Sequence, residues 1–162
     1  MIEYKLAAPG DVHRIREFLE KVWYATYSGM MPDEVIRKAV DKWFDIHFLA
    51  QQSSDPEVFF LLAMEAGEII GLTTARMLDN ENTLNLGRLY VHPQYQGKGL
   101  GSILLAKALN SFRDYQKIRL GVIQGNHQAI SFYQRKGFIQ TGRETEDIDG
   151  YPIVVLIMEI NS

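Results

Sequence analysis

The chain predicts an α/β (α+β) domain with a mixed, mostly antiparallel central sheet of about seven strands flanked by about four helices. Three observations carry this. Three strand-like runs, Val58 to Glu65, Glu68 to Leu78 and Thr83 to Val91, are separated only by turns at Ala66-Gly67 and Asp79-Asn80-Glu81-Asn82, which suggests an antiparallel meander. The last run leads through a glycine-rich loop into an amphipathic stretch, Ser102 to Phe112. Near the end, Phe138 to Arg143 and Tyr151 to Ile160 flank an acidic turn, Glu144 to Gly150, and read as a hairpin.

Taken in order, Ile2 to Ala8 is a short first strand, and Pro9-Gly10-Asp11 ends it and caps a helix. Val12, Ile15, Phe18, Leu19, Val22 and Trp23 line one face of that helix, with Arg14, Arg16, Glu17, Glu20 and Lys21 opposite. Tyr24 to Pro32 reads as a loop rich in aromatics and methionines. Asp33 is expected to cap a second helix through Val35, Ile36, Val40, Trp43 and Phe44 to about Ala50, and polar Gln51 to Pro56 is a loop. After the meander, Ile103, Leu104, Leu105, Ala108, Leu109 and Phe112 recur at helical spacing. Ile118 to Ile123 is a strand whose β-branched residues suit burial on both faces. Asn126 to Lys136 is a helix, with Gly137 at the left-handed position past its end and Phe138 folding back on Phe132 or Tyr133. No repeat, linker or low-complexity segment interrupts residues 1–162, which are expected to form a single domain.

Composition narrows the function classes. The net charge is −3 and the pI ≈ 5.8, which argues against a nucleic-acid-binding surface. With no cysteine, disulfides, thiolate metal sites and a cysteine nucleophile are excluded. His13, His47, His92 and His127 show no metal-ligand spacing, so no metal is expected; His92, before Pro93, is expected to shape the loop. Met1 to Asp11 lacks a signal pattern, and the longest apolar runs are too short to span a bilayer. A cytoplasmic protein with no membrane partner is expected.

The glycine loop is the most informative stretch. Glycines let a backbone approach a ligand closely, and the free N–H groups of a helix's first turn favour anions. Two phosphate loops fail on spacing. In G-x-x-x-x-G-K-[ST] the lysine precedes a hydroxyl residue, whereas Lys98 precedes Gly99. In G-x-G-x-x-G the third glycine would fall at position 102, which is Ser102. What remains is Gln96-x-x-Gly99-x-Gly101 between Leu89-Tyr90-Val91 and a helix. This closely resembles the acyl-CoA-binding motif of the GNAT superfamily of N-acetyltransferases. The resemblance implies that acetyl-CoA is the co-substrate. It also implies that the main-chain N–H groups of Gln96, Gly97, Lys98, Gly99, Leu100, Gly101 and Ser102 hold its diphosphate. The pantetheine arm would then run along Leu89, Tyr90 and Val91, with Lys98 adding positive charge.

A second stretch, Asn126-x-x-Ala129-x-x-Phe132-Tyr133-x-x-x-Gly137-Phe138, reads by itself as a well-terminated core helix with Ala129 and Phe132 on one face. It also resembles the second GNAT motif. The resemblance implies that Asn126 bonds the coenzyme near its thioester arm, beside Ala129 and Phe132, and that Tyr133 donates a proton to the departing thiolate. The implied reaction is direct acetyl transfer to a primary amine through a tetrahedral intermediate, with the N–H of Val91 polarising the thioester carbonyl.

Relatives often carry Glu as general base where this chain has Asn85, and Asn cannot take a proton. Arg88 and Tyr90 are unsuited as bases. A water relay ending at Glu81 or Asp149, or bulk solvent, is left for that role. The segment Trp23-Tyr24-x-Thr26-Tyr27-Ser28-Gly29-x-x-Pro32 resembles the acceptor-covering segment of small-molecule, polyamine-type bacterial members. That likeness places Tyr24, Tyr27 and Asn85 at the acceptor. Asp33, Glu34, Asp41, Asp45, Glu144, Glu146, Asp147 and Asp149 could attract a cationic amine or form a solvated surface. Two alternatives stay open: acetylation of a peptide N-terminus or protein lysine, and a non-catalytic acyl-CoA sensor. A homodimer is the candidate assembly.

Overall fold

The computed structural model describes residues 1–78 and 82–162. Among them, seven strands form one sheet in the order β1-β2-β3-β4-β5-β7-β6. These are β1 (Glu3–Leu6), β2 (Phe59–Glu65), β3 (Glu68–Leu78), β4 (Thr83–Val91), β5 (Lys117–Ile123), β6 (Ile139–Ile148) and β7 (Tyr151–Asn161). Only β4 and β5 pair in parallel, so the sheet is mixed and mostly antiparallel, as expected. Helices α1 (Val12–Tyr27), α2 (Asp33–Trp43) and α3 (Ile46–Ser54) cover one face; α4 (Leu100–Leu109) and α5 (His127–Arg135) cover the other.

The amphipathic reading of α1 holds: Val12, Ile15, Phe18, Leu19, Val22 and Trp23 are all buried. Each such side chain removed from water contributes ~1.5–3 kcal/mol. The helix runs one turn further than its sequence suggests, so Tyr24 and Tyr27 are helical and the loop shrinks to Ser28–Pro32. Burial of Tyr27 against Trp23, with ring centroids 4.5 Å apart, holds that last turn. The carboxylate of Asp11 does not cap α1. It turns back to accept from Ala8 N at 2.9 Å and pairs with Lys5 and Arg14.

The second predicted helix is two, making five in all among the described residues. Phe44 leaves helical geometry at φ −122° to bury its ring against Trp23 and Tyr90. Asp45 then caps α3, accepting from Phe48 N at 3.1 Å, and α3 takes in part of the expected polar loop. Pro32, not Asp33, occupies the N-cap of α2, and Asp33 accepts from Ser28 Oγ instead.

The turn expected at 79–82 falls almost wholly outside the described residues. In the last hairpin β6 continues to Ile148, so Glu144 and Glu146 are strand residues. The turn is only Asp149-Gly150, with φ of 48° and 90°, as a two-residue type I′ connection requires. Strand β5 is fully buried on one face only, through Ile118, Leu120 and Val122. Ile103, expected in the core stripe of α4, is exposed, because the helix begins two residues earlier, at Leu100, and turns Leu100, Leu104 and Leu105 inward.

One irregularity in the sheet creates the site. The β3–β4 register steps from Thr74↔Arg88 to Ala75↔Leu86, leaving Gly87 as an extra residue in β4. A Cβ there would lie 2.9 Å from Thr74 Oγ1, so the bulge admits only glycine without a shift. Parallel pairing of β4 with β5 stops at Leu86↔Leu120. Beyond it β5 follows β7 as far as Ile123↔Val155 while β4 follows β3, and the two strands part.

Candidate active site

The loop after β4 is held open by its own side chains. His92 Nδ1 accepts from Gln94 N at 3.1 Å and caps the 3-10 turn Pro93–Tyr95, the shaping role its position suggests. Gln96 donates to Val91 O at 2.9 Å and accepts from Gln128 at 3.3 Å, linking strand, loop and α5. Gly97 and Gly99 take φ of 77° and 88°. Gln96 N, expected in the cradle, instead donates to Pro93 O at 3.4 Å, closing the 3-10 turn. Among the described residues, no main-chain acceptor meets the N–H groups of Gly97 through Ser102; the first helical bond is Ile103 N to Gly99 O. Six successive donors at the positive end of α4 form an anion cradle.

That cradle closes one end of a cleft of about 390 Å³. Of the residues expected at the coenzyme, Leu89, Tyr90, Val91, Gln96, Gly97, Gly99, Gly101, Ser102, Asn126, Ala129, Phe132 and Tyr133 line it. Lys98 and Leu100 do not. Lys98 projects over the Tyr95 ring at 5.6 Å, and the Leu100 side chain is buried in the core beneath α4, so only its N–H faces the loop side. Gly101 lies against Phe132, where an added Cβ would sit 3.6 Å from the ring. Along β4, the bond from His92 N to Ile70 O sets the antiparallel alternation. It turns the main-chain groups of Leu89 and Val91 away from β3 and into the gap.

Helix α5 ends as its sequence suggests. Phe138 N donates to Tyr133 O and Gly137 N to Gln134 O, both at 3.0 Å, with Gly137 at φ 100°, a full Schellman motif. Phe138 packs on Tyr133, not Phe132, among these rings. Asn126 carries structural work that its motif did not reveal. Its Oδ1 accepts from Ala129 N at 3.2 Å, capping α5, and its Nδ2 donates to Tyr27 Oη at 3.1 Å, tying α5 to α1. Tyr133 is buried, and among the described residues no hydrogen bond to its hydroxyl forms. Burial foremost, then the neighbouring Tyr90 and Tyr27, raises its pKa, as burial does for Tyr27; both phenols are neutral at pH 7.

A second cavity, about 260 Å³, opens on the far side of the strand split. It shares Tyr27, Leu89, Tyr90, Asn126, Ala129 and Tyr133 with the first, so Tyr133 stands where the two meet. Its other walls are Trp23, Trp43, the bulge at Gly87-Arg88, β5 and Glu146. Tyr24 and Asn85 line neither cavity. Tyr24 packs at the margin of the α1 core, and Asn85 sits opposite Arg119 where β4 and β5 still pair. Asp149 is at the exposed hairpin tip, 3.3 Å from Lys38, and Glu81 lies outside the described residues. Arg88 is buried among Phe44, Phe48 and Phe60, with its centre 5.5 Å from the first ring, and donates to Gln52. Sequence reasoning missed Gly87, Trp43 and the inward position of Glu146, since all three depend on a bulge and a strand pairing that no local pattern encodes.

The acetyltransferase (GNAT) family model matches residues 14–138. A spermidine N(1)-acetyltransferase of Thermoplasma acidophilum is 26% identical over 160 residues, covering 95% of each chain. An uncharacterized N-acetyltransferase of Mycobacterium tuberculosis is 32% identical over 114 residues, covering 69% of this chain and 72% of the relative. The crystal structure of PaiA N-acetyltransferase from Thermoplasma acidophilum in complex with coenzyme A matches with a TM-score of 0.81 at 26% identity, covering 100% of this chain and 99% of that one. A glycine cradle, a parted β4–β5 pair and these matches lead to one conclusion: the chain belongs to the GNAT family, N-acetyltransferases that use acetyl-CoA.

Proposed function

We propose that this enzyme acetylates a primary amine of a small molecule of polyamine type. The observation that carries the reading is the pair of cavities meeting at Tyr133 through the split between β4 and β5. The cradle side suits the coenzyme: unpartnered N–H groups from Gly97 to Ser102 offer a diphosphate more donors than a single helix end. The far side, walled by Trp23, Trp43, Tyr27 and a carboxylate, suits an organic cation. The likeness to a spermidine N(1)-acetyltransferase along 95% of both chains supports the same acceptor class.

Bound acetyl-CoA supplies a thioester carbonyl activated towards an amine. The residues of this chain supply the rest. Gly97 through Ser102 fix the diphosphate, while Leu89 and Val91 present main-chain groups along the arm, and the Val91 N–H stabilises charge on the carbonyl oxygen. Tyr133 holds a proton for the sulfur. Its raised pKa does not forbid that transfer. The same desolvation raises the pKa of a thiol formed beside it, so the difference between the two groups governs the step.

The test is a thiol-release screen over polyamines, aminoglycosides, amino acids and short peptides, run with the wild type and Tyr133→Phe. Polyamines should give the highest kcat/KM. Tyr133→Phe should lose ~10²–10³-fold in kcat with acetyl-CoA affinity nearly unchanged. Its fold stability should also be nearly unchanged, since among the described residues the hydroxyl it removes forms no hydrogen bond. Acetyl-CoA binding with no release from any amine would overturn the enzymatic reading of the site, and faster release with peptides would overturn the acceptor class.

A further inference from the structure

Transfer to an amine of pKa ~10.4 needs a proton acceptor at neutral pH, and Asn85 neither accepts protons nor reaches a cavity. The geometry points to Glu146 as the group that seats the acceptor's ammonium and takes its proton, an inference that rests on the function proposed above. Glu146 is the one carboxylate among the described residues lining either cavity. It pairs with Ile153 across the hairpin, on the strand face that carries buried Ile148 towards α1 and α2. Trp23, Trp43 and Tyr27 stand around the same space.

Of the other acidic side chains that could draw a cation, Glu144 is exposed and lines neither cavity, and the rest are already engaged. Glu34 pairs with Arg37, Asp41 with Arg16 and Arg37, and Asp149 with Lys38. Asp33 accepts from Ser28, Asp45 from Phe48 N and Asp147 from Gly150 N. Glu146 forms no ion pair among the described residues, and its partial exposure gives a proton a way out to solvent. The ionisable groups facing it are few. Tyr27, Tyr90, Tyr133 and Arg88 share its cavity, Lys42 reaches Asp147 O from α2, and Glu144 lies two residues along the same strand face.

In the step, the ammonium gives one proton to the Glu146 carboxylate and the freed nitrogen pair bonds to the thioester carbon. The carbon–sulfur bond breaks with its electron pair on sulfur, which takes the Tyr133 proton. The second proton lost by nitrogen as the amide forms balances the one Tyr133 gave. Glu146 releases its proton to water, leaving one proton, one thiol and one amide.

The experiment compares wild type, Glu146→Gln, Glu146→Asp and Glu144→Gln, with spermidine as probe. Glu146→Gln should lower kcat/KM ~10²-fold, flatten the acid limb of its pH profile and weaken spermidine binding in calorimetry, with acetyl-CoA affinity unchanged. Glu146→Asp should recover part of the rate, and Glu144→Gln should match the wild type. Wild-type kinetics and spermidine affinity in Glu146→Gln would overturn the assignment while leaving the acetyltransferase intact. If no amine supports turnover in the wild type, the proposed function fails, and equal spermidine binding by wild type and Glu146→Gln then refutes the seat as well.

Discussion

Gly99 separates backbone geometry from charge at the cradle. It is the N-cap of α4 at φ 88°, and a Cβ built on it meets nothing within 4 Å. Gly99→Ala therefore costs only the left-handed backbone penalty, about 1–2 kcal/mol, or a fall in Tm of roughly 3–6 °C for a chain of this size. Gly99→Glu carries the same strain and adds a carboxylate beside the six free donors. At a separation of about 5 Å and an effective dielectric of about 40, each like charge costs ~1.7 kcal/mol, so two phosphate charges cost ~3 kcal/mol. That is roughly 10²-fold in Kd. Both variants should thus melt alike, whereas acetyl-CoA titrated calorimetrically should bind Gly99→Ala within several-fold of wild type and Gly99→Glu ~10²-fold more weakly. Added salt should narrow that difference. Normal affinity in Gly99→Glu would refute the placement of the diphosphate. Equal losses in the two variants would show that backbone shape, not charge, governs binding.

The bulge and the first turn give further expectations. Gly87→Ala forces a Cβ to 2.9 Å from Thr74 Oγ1 and should lower stability by ~1–3 kcal/mol in urea unfolding. Thr74→Ala in that background should restore part of the loss, and strict additivity of the two would refute the contact. The Asp11 carboxyl is raised by burial, but the Ala8 N–H, Lys5 and Arg14 outweigh that and hold it below the usual carboxylate range. Its contribution is present above the unfolded pKa of ~3.9 and lost as pH falls through the lower folded value. Asp11→Asn should therefore be less stable than wild type near pH 6, with the gap closing on acidification; an unchanged gap down to pH 2 would refute the linkage.

Much was legible because it is local. Periodicity and turn residues set β2, β3, β4, α1 and the Schellman end of α5, and the glycine loop between a strand and a helix start marks an anion cradle by local pattern alone. Where the structure departs from local pattern, a packing contact or a tighter turn decides. Phe44 breaks a helix to reach Trp23 and Tyr90, and Tyr27 extends another by packing on Trp23. The Asp149-Gly150 turn carries Glu144 and Glu146 into a strand.

By itself, then, the sequence determined the order of the elements, the phosphate-type loop and the family, since each depends on residues close together in the chain. Tertiary structure alone decided the acceptor side. The bulge at Gly87 exists only because β4 pairs with β3, the gap only because β5 follows β7, and the cavity only because α1, α2 and β6 converge on it. No single segment carries that information, because a wall has a position only once its opposite wall is in place.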